Sequence, residues 1–224
     1  MAAPIMLHAE NITEVDVMQV LRYSGMGSND VPDSVMDLIN KCMPLMLNAT
    51  NFKACYLEVP VTINNNYIDF EYTGVESKSL SVLLKDCNKA ILVAATAGAQ
   101  TDMLVKRAEV TSKAEALILN SVAIAGIEKY MASLNLYFKE QYEQYELRPR
   151  FSPGYGDVPL SFQKELLSVL DTGRKIGVHL SESLLMTPTK SVSAIIGLGK
   201  DGCIHIEKDC DLCSKTDCEY RLKG

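Results

Sequence analysis

A long helical segment that begins at Ser112 constrains the fold of this chain more than any other feature of its sequence. Ser112 and Glu115 have the spacing of a capping box, in which each side chain accepts a hydrogen bond from the backbone N–H of the other residue. The helical pattern then continues to about Tyr145, apolar in its first half and amphipathic in its second. We predict one long helix that starts in the core and ends at the surface.

The composition is that of an ordinary globular protein, with 47% hydrophobic and 22% charged residues among 224. A net charge of -6 disfavours nucleic acid as the main partner, because phosphate binding needs clustered Lys and Arg. The most apolar stretch, residues 114–127, is shorter than the roughly 20 residues of a membrane span. The first residues lack the basic region of a signal peptide, so we expect a cytoplasmic protein without a membrane segment.

Strand-like segments are distributed over the chain. Residues 90–96 form a continuous apolar run, which predicts a central strand. The runs A-C-Y-L-E-V and Y-I-D-F-E-Y, with three Asn residues between them, predict a hairpin. Residues 178–186 and 191–198 also have strand character and flank T-P-T-K, which predicts a second hairpin or strand pair.

Further helices are predicted from capping and breaking residues. Thr13 and Asp16 begin a helix of about ten residues that ends near Tyr23, and Asp30 with Pro32 begins a second helix. The others are expected at residues 79–87, 100–110 and 160–170, the last ending at the turn Asp171-Thr172-Gly173. These elements form one predicted domain over residues 1–200, followed by a cysteine-rich tail over residues 201–224.

The loop R-F-S-P-G-Y, from Arg150 to Tyr155, has the chemistry of a binding loop. Arg150 provides a planar fork with a permanent charge, and Pro153 with Gly154 makes a rigid turn in which backbone groups can approach a ligand. Tyr155 adds an aromatic face. This combination suits a small zwitterion that carries an adenine.

A second segment, S-E-S-L-L-M-T-P-T-K-S-V-S from Ser181 to Ser193, follows about thirty residues later. The patterns R-x-x-x-G-Y and S-E-S-x-x-M-x-P-x-x-S-V-S, in this order, resemble the activation domain of cobalamin-dependent methionine synthase. V-L-R-Y-S-G and A-T-A-G-A-Q-T-D-M-L-V-K-R resemble stand-alone relatives of that domain, so the resemblance covers nearly the whole chain. It implies an α+β fold with a twisted antiparallel sheet and long helices.

The resemblance also implies a function. In that family the domain presents S-adenosylmethionine to a cobalamin that has become inactive, while a reductant, such as a flavodoxin or another electron donor, supplies one electron. No D-x-H-x-x-G corrinoid-binding signature occurs around His8, His179 or His205. We therefore expect an accessory reactivation subunit without a self-contained active site, whose cobalamin lies on a separate methionine synthase or related corrinoid methyltransferase.

By resemblance, Arg150 pairs with the carboxylate of the ligand, Pro153 and Gly154 allow backbone contacts, and Tyr155 packs against it. Each has a structural alternative: a surface ion pair for Arg150, a turn for Gly154 and a core aromatic for Tyr155. Glu182 is a weaker binding candidate, with a capping or solvent role as its alternative. The chain departs from the family at A-I-I, residues 194–196, where methionine synthases tend to carry aromatic residues, so a ligand contact there is lost or replaced.

The tail contains Cys203, Cys210, Cys213 and Cys218 in the spacing C-x6-C-x2-C-x4-C. Four thiolates in one short segment suit zinc or an iron-sulfur cluster, although the spacing matches neither common ferredoxin pattern. Free thiols or a disulfide formed on purification are the alternative, and His205 could replace Cys203. A metal-binding or assembly protein that kept the fold but lost the ligand is therefore the second functional hypothesis.

The metal hypothesis predicts a bound metal in protein purified anaerobically. Elemental analysis and an absorbance spectrum should show one zinc or a coloured iron-sulfur cluster, which the quadruple Cys→Ser variant at these four positions loses. A colourless, metal-free and folded wild-type protein would refute the site. Cys55→Ser is the control: Cys55 lies in an apolar strand-like segment outside the tail, so its replacement should leave the metal content unchanged.

Overall fold

The computed structural model describes residues 3–8, 12–26 and 31–200. Helices and strands alternate irregularly along these residues, as expected for an α+β protein. The helices are α1 (Val17–Tyr23), α2 (Asp33–Ala49), α3 (Lys78–Leu83), α4 (Ala99–Thr111), α5 (Lys113–Gln141), α6 (Gln163–Val169) and α7 (Thr172–Lys175), with a 3-10 turn at Leu160–Phe162. The strands are β1 (Ile5–His8), β2 (Lys53–Pro60), β3 (Thr62–Asn64), β4 (Tyr67–Asp69), β5 (Gly74–Glu76), β6 (Cys87–Thr96), β7 (Glu146–Leu147), β8 (His179–Leu180), β9 (Met186–Thr187) and β10 (Ser191–Gly199).

The main sheet has five antiparallel strands in the order β1-β2-β6-β10-β7. Strand β6 occupies the centre and pairs along nearly its whole length with β2 and β10. Residues 90–94 of this strand are at most 1% exposed, because both faces of the sheet are covered. The predicted central strand and the predicted α+β antiparallel fold are confirmed.

Two apolar clusters lie on opposite faces of this sheet. On the first face, side chains from β2, β6 and β10 pack against α3, α6 and the 3-10 turn. On the second face, the neighbouring side chains of the same strands pack against the second half of α5. Strand β10 shows the alternation, since Ile195 belongs to the first face and Ala194 and Ile196 belong to the second.

Helix α5 connects the sheet to a third apolar cluster. Its first half packs against α1, α2 and α4, and its second half packs against the sheet through Tyr130, Met131, Leu134 and Phe138. The Ser112 hydroxyl accepts a hydrogen bond from the Glu115 N–H, which confirms the predicted helix start. The helix ends at Gln141: Phe138 is still buried, whereas Lys139, Glu140 and Gln141 are exposed, so the predicted end at the surface is confirmed. Its length and composition would suit a membrane span, but most of it is buried in the protein.

Both predicted hairpins are wrong in their pairing. Strand β2 pairs with β1 and β6, whereas β4 pairs with β3 and β5 in a separate three-stranded sheet. The turn at Asn65, with a φ of 58°, is where it was expected but joins β3 to β4. The segment 178–186 folds onto itself as the β8–β9 hairpin, while β10 pairs with β6 and β7.

Helix boundaries differ from the expectations by a few residues. Asp16, and not Thr13, caps α1, which has seven residues, and Pro32 precedes the first residue of α2. The helix predicted at 160–170 begins as a 3-10 turn. Helix α6 ends at Val169, and Asp171 in the turn that follows takes a left-handed conformation, whereas Gly173 lies inside α7. Asp tolerates this conformation because its short polar side chain can hydrogen-bond locally.

The packing of α5 predicts unequal effects for the same substitution at two of its leucines. Leu134→Ala removes a side chain that is 4% exposed and should lower the free energy of unfolding by about 2 to 5 kcal/mol. Leu136→Ala, two residues away and 64% exposed, is the matched control and should change it by less than about 0.5 kcal/mol. Urea unfolding followed by circular dichroism measures both, and equal losses would contradict this packing.

Candidate functional site

The site begins with an extra residue in the chain that follows β7. The Arg148 N–H donates to the Gly197 carbonyl at 2.8 Å, and the Phe151 N–H donates to the Ile195 carbonyl at 2.9 Å. Three residue steps therefore lie opposite two in β10, which is the geometry of a β-bulge. Pro149 lies in this bulge, where its missing N–H costs no ladder hydrogen bond.

The bulge sends two arginines to opposite faces of the sheet. Arg148 is 5% exposed and lies over Gly197 and Gly199, with its guanidinium 3.5 Å from the Lys85 carbonyl on the first face. In a regular strand Arg150 would share that face, because side chains alternate. Arg150 instead reaches Glu128 of α5 on the second face.

Arg150 forms an ion pair with Glu128, whose Oε2 lies 3.1 Å from Nη2 of the guanidinium. The side chains of Arg150 and Glu128 are 21% and 40% exposed, so the pair lies at the surface and remains accessible. The pair engages one nitrogen of a fork that has five N–H donors. An ion pair was the structural alternative for Arg150, and its partner on α5 was not predicted.

Two aromatic side chains lie beside this ion pair. Tyr155 is 57% exposed, and its ring centroid is 6.3 Å from that of Phe151. Burial raises the pKa of the Tyr23 hydroxyl, Glu128 raises it further, and Arg22 and Arg150 lower it. Tyr155 affects the same pKa, so Tyr23 lies within electrostatic range of both loop residues. Tyr23 belongs to the motif V-L-R-Y-S-G, so this motif lies within electrostatic range of R-F-S-P-G-Y.

The loop between Arg150 and the 3-10 turn is held by contacts that the sequence did not indicate. Gly154 and Gly156 have φ values of 91° and 53°, which favour glycine, and a Cβ on Gly156 would lie 2.8 Å from the Ser79 hydroxyl. Asp157 accepts hydrogen bonds from the Ser77 hydroxyl and from the N–H groups of Lys78 and Ser79. These contacts fix the loop to the start of α3. Pro153 is buried, and Gly154 and Tyr155 are exposed.

The S-E-S segment forms the loop between β8 and β9. The Ser181 hydroxyl accepts a hydrogen bond from the Leu185 N–H, and Leu184 has a φ of 64°, which is uncommon for a leucine. Gln163 donates to the Leu184 carbonyl, whereas Gly154 contacts Leu160, so both loops border the same 3-10 turn. Glu182 is exposed, and no hydrogen bond or ion pair joins it to Arg150, both being described residues. Its role stays a prediction.

The T-P-T-K segment is fixed to the motif A-T-A-G-A-Q-T-D. Asp102, in the first turn of α4, accepts hydrogen bonds from the N–H and the hydroxyl of Thr189. The Ser191 hydroxyl lies 2.9 Å from the Thr96 hydroxyl and 2.7 Å from the Pro188 carbonyl. These contacts join the two motifs at the adjacent ends of β6 and β10.

Residues 194–196, the A-I-I departure, lie in the core. Ala194, Ile195 and Ile196 are at most 1% exposed in β10. These three side chains are therefore not available for a ligand in this structure, and their exchange for aromatic residues concerns the packing of the sheet.

The four tail cysteines lie outside the described residues, so their metal site stays a prediction. Within residues 3–8, 12–26 and 31–200 no group of three or more His, Cys, Asp or Glu is arranged to hold a metal ion. Cys42, Cys55 and Cys87, which are described residues, are buried and outside any disulfide, as expected for packing residues.

Comparisons with known proteins agree with the resemblance. Residues 125–203 match the family "Vitamin B12 dependent methionine synthase, activation domain". The fold is similar to that of a crystal structure of the MetH reactivation domain bound to AdoHcy, with a TM-score of 0.73 and 15% sequence identity, covering 91% of this chain and 80% of the other. No curated protein matches the chain. The match over residues 125–203 and the shared fold confirm the resemblance.

The contacts of Asp157 predict a pH-dependent stability. Hydrogen bonding to Ser77, and then to the backbone of Lys78 and Ser79, lowers the pKa of Asp157 from 3.8 to about 2. Because the pKa is lower in the folded state, the carboxylate stabilises the fold above its ordinary pKa, and this contribution is lost as the pH falls through about 2.

Asp157→Asn should lower the free energy of unfolding by about 1 kcal/mol at neutral pH, after allowance for solvent exposure. The deficit should shrink at about pH 3, and urea unfolding at both pH values measures it. Asp86→Asn provides a control on another exposed aspartate. A deficit that does not change with pH would contradict the proposed contacts.

Proposed function

We propose, from the match of residues 125–203 to the activation domain and from the shared fold, that this chain binds S-adenosylmethionine and supports reductive remethylation of cobalamin on a separate protein. The partner would be a methionine synthase or a related corrinoid methyltransferase. The observation that carries the proposal is Arg150, which the bulge turns toward an accessible surface beside Tyr155. A reactivation domain of this fold has been crystallised with AdoHcy.

The residues present fit such a ligand. The methionyl carboxylate needs a planar cationic partner, which Arg150 provides. The main chain at Gly154 is exposed and has no Cβ, so its backbone groups can be approached closely. The exposed ring of Tyr155 offers an apolar face for the adenosyl group or a π-face for the sulfonium cation.

The contribution of the chain to the chemistry would be positioning. The bound ligand supplies an activated methyl group, and the site needs to hold its donor end toward the partner. Holding two reactants in a reactive geometry removes much of the entropic cost of their encounter. The fixed loop is suited to this, because Asp157 and Gly156 attach it to α3. No acid or base is required of the chain for a methyl transfer of this kind.

We propose that the cobalamin is carried by another protein, because none of the three histidines of this sequence lies in a D-x-H-x-x-G signature. The electron would come from a flavodoxin or another donor of low potential. We also infer a cytoplasmic location, where such electron donors act.

Arg150→Ala should abolish most of the affinity for S-adenosylmethionine, with a loss of about 100-fold, since a charge-assisted bidentate pair contributes about 3 kcal/mol at most. Isothermal titration calorimetry of the wild type and the variant measures it.

Arg174→Ala is the matched control. Arg174 is also ion-paired to a carboxylate, that of Asp171, but it lies in α7 and should not affect binding. A folded wild-type protein that gives no heat with S-adenosylmethionine would overturn the proposed function. Wild-type affinity in Arg150→Ala would remove Arg150 from the site.

A further inference from the structure

We infer that Glu128, in the middle of α5, binds the α-ammonium group of the ligand and that Arg150 and Glu128 together recognise a zwitterion. The inference rests on the proposed function and extends it to a residue that the sequence did not indicate. In the sequence, Glu128 follows the apolar half of the helix and resembles an ordinary charged residue that faces solvent. Its contact with Arg150 distinguishes it from the other acidic residues of α5.

The geometry of the ion pair suits an amino-acid group. The α-carboxylate and α-ammonium of an amino acid are attached to the same carbon, so their binding partners must be adjacent charges of opposite sign. Nη2 of Arg150 and Oε2 of Glu128 are 3.1 Å apart and belong to different elements, the bulge and α5. The bound zwitterion would add two charges next to the two that are present, and all four would alternate in sign.

Electrostatics give a reason for keeping Glu128 beside Arg150. A carboxylate near the anchor competes with the ligand carboxylate and by itself would weaken binding. Its presence is favourable if it gains a cation when the ligand arrives. Glu128 is 40% exposed, so its carboxylate has surface left for a second partner. Tyr23, whose hydroxyl pKa Glu128 and Arg150 both affect, borders the same position.

Two ligands distinguish an ammonium contact from other roles of Glu128. One is S-adenosylmethionine, and the other is its analogue in which a hydroxyl replaces the α-amino group. Glu128→Gln keeps the size of the side chain and removes its charge. The variant should bind S-adenosylmethionine about tenfold more weakly than the wild type does, as expected for one partly exposed charge-assisted hydrogen bond, and should bind the hydroxyl analogue no more weakly than the wild type does.

Glu115→Gln is the matched control, since Glu115 lies on the same helix and is paired with Lys41 at the same distance of 3.1 Å. It should leave both affinities unchanged. Thermal unfolding verifies that each variant is folded before titration.

Each other outcome overturns the inference. Tighter binding of both ligands by Glu128→Gln would show that Glu128 only competes for Arg150. Equal weakening of both would show that Glu128 only positions Arg150. Unchanged affinities would show that Glu128 has no part in binding. The proposed function would still stand in that case if the wild type binds S-adenosylmethionine and Arg150→Ala weakens that binding. A wild-type protein that binds neither ligand would overturn both.

Discussion

The packing of α5 is the interaction on which the rest of the structure depends. Its first half completes the cluster of α1, α2 and α4, and its second half covers one face of the main sheet. A helix that packs against two clusters must be apolar around most of its circumference, which explains why most residues between Ala116 and Ile127 are apolar. The burial of this helix also fixes Glu128, because Ile127 and Tyr130 on either side are held in the core. A rigid element therefore carries one half of the candidate site.

The other half depends on a single extra residue. Without the bulge at Pro149 and Arg150, the chain after β7 would continue its alternation, and Arg150 would lie on the face occupied by Arg148. The bulge directs the Arg150 guanidinium to α5 instead, where Glu128 pairs with it at the surface. The candidate site thus arises where a local irregularity of the sheet meets its most regular helix.

Much of the fold could be predicted from local sequence signals. The start of α5 was predicted from Ser112 and Glu115. The central position of β6 was predicted from a continuous run of apolar residues, which is typical of a strand covered on both faces. Strand pairing could not be predicted in the same way. Alternation shows that a segment is a strand but does not choose its neighbour, so β2 and β4 were wrongly joined although the turn at Asn65 was correctly placed. Pairing is decided by packing between residues that are distant along the chain.

The candidate site was less predictable than the fold for the same reason. Arg150 could be identified because its motif is local, and Tyr155 and Gly154 belong to that motif. Glu128, Tyr23 and Asp157 act through contacts with segments that lie between 22 and 132 positions away along the chain, so no local pattern identifies them. The A-I-I departure was interpreted from a motif and proved to concern the core, because three successive buried residues of β10 alternate between the two covered faces. Residues 194–196 therefore belong to the inside of the sheet, while the charged surface formed by Arg150 and Glu128 depends on the bulge and on α5.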